Sequence, residues 1–408
     1  MFDVDKWLEI FHTIITNPLR TVLTGVSVAL GIFILVVMQG LGFGLQNGVY
    51  KNMQDDAINS LYIHSWATSL PYKGLNAGRE ITYKNDDLQH VVDKYDEVTT
   101  YSGRMGMWGV AMEYGSETQN FSLRGVHPGH LELERSIVTG GRFINAGDVA
   151  DARKITVLGK TIVEDLFRGK DPIGEYVKIN GVLFRVVGTF EDPGSKWENR
   201  NAYVPITTAQ RVYGRNDQID MFMVTTGEMS LTESIEMAAE IDAYLKEKHV
   251  VHPDDKRAIT VNNNNESFAE MVNVFTGIRT FIWAVGIFTL LAGIIGVANI
   301  MSIIVKERTK EIGVRKALGA TPASVLGLII QEAVFLTTIA GSIGLVAGVV
   351  LLEVLAMFID HEFFTNPTIN FGVCLGALIL LIIAGALSGL LPAIRAVRIR
   401  PVEALRDE

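Results

Sequence analysis

The sequence predicts an α-helical membrane protein with four transmembrane helices and one large α+β extracytoplasmic domain. Residues 21–42, 278–305, 325–357 and 371–391 are each mostly apolar over about 20 residues or more, enough for a helix to cross a hydrocarbon core. Between the first two windows lie roughly 235 residues of ordinary soluble composition. Lys and Arg collect in two short segments, which sets an orientation. A chain of 408 residues with a mean hydropathy of +0.26 accommodates both the spans and a folded domain.

Residues 1–18 read as an interfacial helix. Val4, Trp7, Leu8, Phe11 and Ile15 share one face, and Pro18 marks the bend into the bilayer. The first span, 19–43, starts late for a signal peptide, exceeds an ordinary h-region and lacks a small-x-small exit before Phe43, so it reads as an uncleaved anchor. The domain at 44–265 is mixed. Residues 153–158 and 182–188 are strand-like, 161–167 and 231–249 have helical spacing, and Asp171-Pro-Ile-Gly174 and Glu191-Asp-Pro-Gly194 are turns. Its cohesion must come from its core, because Cys374 is the sole cysteine and lies in the fourth span. After Asn262–Asn265, the residues Phe268, Met271, Val272 and Phe275 mark a helix face that runs into the second span, making 266–305 one stiff stalk and span.

The segment 306–322 is too charged for lipid and too short for a domain. Lys306, Arg308, Lys310, Arg315 and Lys316 place it in the cytoplasm, as Arg395, Arg398, Arg400 and Arg406 place the tail at 392–408. The loop at 358–370, between spans at 323–357 and 371–391, holds Asp360, His361 and Glu362 but no Lys or Arg, as expected outside. Both termini then lie in the cytoplasm and the large domain lies outside. Alternating signs at Lys306, Glu307, Arg308, Glu311, Arg315 and Lys316 allow i,i+4 pairs such as Glu311 with Arg315 and present both charges to a partner. Ile312 and Val314 add apolar contact, Gly313 permits close approach, and Gly319 and Pro322 end the segment.

Polar residues within spans are expensive, so Asn299 and Glu332 read as packing or coupling residues, with Glu332 near enough to meet the basic segment. Glu353 reads as interfacial. The pairs Gly40 and Gly44, Gly344 and Gly348, Gly372 and Gly376, and Gly385 and Gly389 allow close helix approach, within the subunit or against a second copy.

Several chemistries are disfavoured. Gly159-Lys160-Thr161 has only the end of a phosphate loop, since Lys154 stands where the first Gly is needed. His127 with His130, and His249 with His252, lack a third ligand or an HExxH frame and read as structural. Ser342 and Ser388 have no nucleophile-elbow context. The net charge of -9 disfavours nucleic acid. The chain therefore reads as a non-catalytic membrane subunit that binds no cofactor or metal.

Three blocks resemble the MacB-type permeases of ATP-binding-cassette systems, relatives of LolC, LolE and FtsX. They are Asn299 to Pro322 with Gln331-Glu-Ala333; Leu391-Pro-Ala-Ile-Arg-Ala to Leu405; and, outside the membrane, fragments such as Leu123-Arg-Gly-Val, Gly140-Gly-Arg-Phe, Phe184-Arg-Val-Val-Gly188 and Tyr203-Val-Pro-Ile206. The resemblance implies a periplasmic domain with a porter-like part and an inserted second lobe, in a bacterial inner-membrane subunit that dimerises with itself or with a paralogue. It further implies an ABC ATPase that grips the segment after span two and holds ATP and Mg. As no ATPase domain is fused here, that partner is expected on a separate chain. The expected function is mechanotransmission for export or for lipoprotein or outer-membrane cargo, with a periplasmic adaptor and outer-membrane channel as further partners beside membrane lipids. The alternative is an FtsX-like signalling subunit that activates a cell-wall hydrolase.

Overall fold

The computed structural model describes residues 18–53, 57–359, 367 and 371–399. The expected interfacial helix, most of the loop between the last two spans, and the chain beyond residue 399 lie outside them. The protein divides into two compact units, one of residues 50–272 and one of residues up to 49 and from 273 onward.

The unit of residues 50–272 is organised by a ten-stranded sheet. In chain order the elements are β1 (Ser60–Ser65), β2 (Tyr83–Lys84), α2 (Asn85–Lys94), β3 (Tyr101–Tyr114), β4 (Glu117–Val126), α3 (His130–Leu133), β5 (Ile137–Gly141), α4 (Ala146–Ala150), β6 (Ile155–Gly159) and α5 (Lys160–Ile162), which continues as a wider turn to Phe167. They are followed by β7 (Tyr176–Ile179), β8 (Val182–Glu191), β9 (Asn201–Pro205), α6 (Ile206–Val212), β10 (Gln218–Ile219), β11 (Met221–Thr225), α7 (Leu231–Lys248) and β12 (Ile259–Asn263). A helix labelled α1 (Pro18–Met53) precedes them all. The strand order is β12-β1-β11-β3-β4-β9-β6-β8-β5, with β7 set against β3 and β8, and β2 pairs separately with β10.

Side-chain alternation explains the layering. Along β8, Phe184, Val186 and Phe190 are buried while Leu183 and Arg185 face out, the period-2 pattern of a half-covered strand. The fully buried β9 and β11 lie inside the strand order. Asn180 and Gly181, both at positive φ, make the tight turn that joins β7 to β8. A reciprocal cap between Ser230 and Glu233 starts α7, which buries Met237, Ala238, Ile241 and Leu245 in the main core.

The other unit is helical. It takes in most of α1 and of α8 (Asn264–Glu307), then α9 (Thr309–Ala317), α10 (Pro322–Phe358) and α11 (Phe371–Val397). Four of these are long and apolar enough to cross a membrane. At 1.5 Å per residue, the 44 residues of α8 span about 66 Å, twice a hydrocarbon core. Its first turn is fastened by Asn263, whose side chain accepts the Asn265 and Glu266 amides, and by Asn264, whose amide bonds Ala57 O and Ser60 Oγ. Close approach needs glycine where α10 meets α1. A Cβ on Gly344 would stand 2.2 Å from the Ala29 carbonyl, and one on Gly348 2.5 Å from Val36.

Candidate functional site

The site forms where α8, α9, α10 and α11 converge. Thr309 donates its hydroxyl to the carbonyls of Val305 and Lys306, and Arg308 alone separates the end of α8 from the start of α9. The apolar side of α9 turns inward. Ile312 joins Val305, Val325 and Ile329 in one core cluster, and Gly313 is buried beside it. At the far end the Gly319 amide donates to Lys316 O and the Ala320 amide to Arg315 O, with Gly319 at φ +100, which closes the helix in a Schellman turn. Thr321 then caps α10, with Pro322 in its first turn.

Charge is arranged around this scaffold as a chain. Arg308 Nε donates to Glu311 at 3.0 Å and Arg315 Nη2 to Glu311 at 2.9 Å, while Arg308 Nη1 reaches the buried Glu332 of α10 at 3.5 Å. Beneath lies a cleft of about 340 Å³, lined by Met301, Val305, Arg308, Glu311, Ser324 and Glu332 among others. Lys306, Glu307, Glu311 and Val314 are exposed, and Arg308, Arg315 and Lys316 are partly so. Of the residues expected to face a partner, Ile312 and Gly313 face the bundle instead. Lys316 also turns away: its ammonium donates to the carbonyls of Val397 at 2.7 Å and Ile399 at 2.6 Å, at the end of α11. Arg395, read from sequence only as an orientation signal, donates to Ser302 Oγ of α8 at 3.3 Å.

The intramembrane residues separate. Glu332 reaches the charged segment, and Gly344 and Gly348 pack inside the subunit against α1. Asn299 is exposed on an outward face of α8 that also carries Phe288, Leu291, Ile295 and Ile303. Glu353 is exposed as well.

The sheet unit holds a second charged cluster that sequence reasoning missed. Arg104 of β3 pairs with Glu134 at 3.4 Å, Arg124 of β4 pairs with Glu198, and Tyr203 of β9 donates its hydroxyl to that same Glu198. Burial, then the Arg124 charge, pulls the Arg104 pKa down. Burial also works against Arg124, but Glu198, Tyr203 and Glu134 together carry its pKa upward. His130 is fully buried edge-on to Tyr203, and burial with the charges of Arg104 and Arg124 keeps its ring neutral. His127 accepts the Gly103 amide on Nδ1, and burial lowers its pKa to about 4. His249 lies 3.1 Å from Asp87, and Lys160, at the strand-to-helix turn after β6, pairs with Glu191 at 2.6 Å. Among the described residues no three His, Cys, Asp or Glu side chains converge as a metal site.

Four candidate spans, a large sheet domain between the first two and a short charged helix between the second and third define a multi-span permease architecture. A family model described as the MacB-like periplasmic core domain matches residues 21–241, one described as the FtsX-like permease C-terminal matches residues 283–401, and the chain belongs to this MacB/FtsX-type family of ABC transporter permeases. The macrolide export ATP-binding/permease protein MacB of Nitrobacter winogradskyi is 28% identical over 98% of this chain and 60% of its own length. An uncharacterised ABC transporter permease of Methanocaldococcus jannaschii is 26% identical over 98% of this chain and 96% of its own. The chain thus spans about three fifths of the MacB relatives it matches. The crystal structure of the periplasmic region of MacB from Actinobacillus actinomycetemcomitans aligns at TM-score 0.45 and 18% identity, covering 55% of this chain and 97% of that one.

Proposed function

We propose that this permease is a non-catalytic subunit of an export system, in which an ABC ATPase on a separate chain grips the segment 306–322 from the cytoplasm. The observation that carries this reading is α9, a nine-residue charged helix seated against the spanning helices, with Lys306, Glu307, Glu311 and Val314 turned outward nearby. Mixed charge beside an apolar residue suits a protein cleft better than a headgroup layer, which would select for basic residues alone. A relative matched over 96% of its length is named a permease, which supports placing the ATPase on another chain. ATP and Mg belong to that partner.

Movement of α9 passes to α8, whose length exceeds a bilayer and whose first turn is fastened to the sheet unit. Glycine contacts fill the space between α1, α8 and α10, so the helices act as a lever rather than a tunnel. A carboxamide on an apolar lipid-facing surface is costly, and Asn299 is relieved when a second copy or a paralogue supplies a hydrogen-bonding helix. In this reading the subunit sits in a bacterial inner membrane with both termini cytoplasmic, and cargo is handled on the periplasmic side.

Reversing both charges, Glu311→Arg with Arg315→Glu, is expected to uncouple ATP hydrolysis from export while the sheet domain stays folded. Survival of both ATPase binding and activity would remove the coupling assignment. Affinity purification from gently solubilised membranes tests the transport reading. An adaptor with an outer-membrane channel, or a lipoprotein cargo, supports it, and a peptidoglycan hydrolase alone favours the FtsX-like signalling role.

A further inference from the structure

The last four carbonyls of an α-helix have no partner within the helix and carry its negative end. At the end of α11 one ammonium, Lys316 of α9, takes the carbonyl of Val397, the last helical residue, at 2.7 Å and that of Ile399, two residues beyond the helix, at 2.6 Å. At its other end α9 is held by Arg308, through Glu332 of α10 at 3.5 Å. Polar contacts therefore tie the short helix to α10 and to α11, and the cleft of about 340 Å³ opens on the α10 side, among residues of α8, α9 and α10. A charged helix that served only as a partner's grip would turn Lys316 outward.

We infer that Lys316 is a positioning residue that clamps α9 to the end of the fourth span, so that force on α9 moves α11 together with α8. This rests on the reading of α9 as the ATPase grip. Lys316 is suited to the task because an ammonium has three donors on a long flexible stem and accepts nothing, so two carbonyls are met without fixing a planar geometry. The end of a spanning helix lies near water, so the carbonyls are hydrated when the lysine is removed. The clamp is therefore dispensable for folding and needed for transmission.

Spin labels at Val314→Cys and Leu387→Cys, in a full-length Cys374→Ala background, report the α9 to α11 distance. The native lysine should give one narrow distribution. Lys316→Met should broaden it at least twofold, and Lys316→Arg, which still donates to two carbonyls, should keep it narrow. Without labels, Lys316→Met should retain the co-purifying ATPase; with them, it should lose at least tenfold of the nucleotide-driven distance change measured with ADP and vanadate. A distribution as narrow in the methionine variant as in the native protein overturns the clamp, and so does failure of that variant to accumulate folded. If the ATPase does not co-purify with the native chain while the distances respond as stated, the clamp stands and the grip reading falls.

Discussion

The two charged clusters use the same residue types and differ in access to water. In the sheet unit the side chains of Arg124 and Glu198 are 11% and 7% exposed; on α9 those of Arg315 and Glu311 are 37% and 44% exposed. Removing one member of a buried pair leaves a charge without water or partner, whereas an exposed member is resolvated at little cost. The inner cluster is committed to one arrangement. The α9 cluster can exchange an internal partner for an external one at small expense, which a docking surface requires.

The largest effect should come from breaking the sealed cluster. Glu198→Ala strips Arg124 and the Tyr203 hydroxyl of their shared acceptor, and a loss of about 3–5 kcal/mol is expected for one member of a buried pair. Chemical unfolding of the sheet unit, followed by hydrogen exchange at β4 and β9, measures it. A loss under about 1 kcal/mol would mean that the cluster is hydrated and that the contrast with α9 is false.

Acid should act next. The native His127 pKa lies near 4 and the ordinary value is 6.5, so between them the unfolded chain binds a proton that the native ring refuses. Stability from this group is complete above pH 6.5 and declines as the pH falls toward 4, by about 2 kcal/mol at pH 5. His130, depressed in the same direction, adds to the decline. His127→Gln, whose amide oxygen accepts the Gly103 amide, should flatten the fall in unfolding midpoint between pH 7.5 and pH 5. An unchanged slope would locate the acid sensitivity elsewhere.

The difference in access also explains what could be read from the chain. The spans were legible because 20 apolar residues in a row have few other fates, and the end of the α9 segment because Gly319 and Pro322 are local stop signals. The Glu311 to Arg315 contact is likewise a four-residue relation. The direction of Lys316 was not legible, since it depends on where α11 ends, some eighty residues later. Ile312 points inward for a similar reason, the position of α10 beneath it. The sealed cluster joins Arg104, Arg124, Glu134, Glu198 and Tyr203 through the pairing of β3, β4 and β9, and one of those pairings is parallel. No single window contains such a contact.

Glu332 is an intermediate case that sharpens the comparison. Its carboxylate is buried like that of Glu198, but its partner Arg308 keeps a second acceptor in Glu311. Glu332→Gln should therefore cost about 1–2 kcal/mol, below the sealed pair and above an exposed one. Thermal unfolding in detergent ranks the three.

The smallest effect on stability should fall on Glu311. It accepts from both Arg308 and Arg315, yet all three side chains meet water, so Glu311→Ala should change stability by less than about 1 kcal/mol. If α9 is the grip, the same change should reduce ATPase co-purification or the coupling of hydrolysis to export by an order of magnitude. A residue that matters little to the fold and much to the assembly is one whose charge is meant for a partner. Should Glu311→Ala destabilise the helical unit as strongly as Glu198→Ala destabilises the sheet unit, the α9 cluster would be a structural lock, and the exposed face of Lys306 and Glu307 would be left as the surface an ATPase could hold.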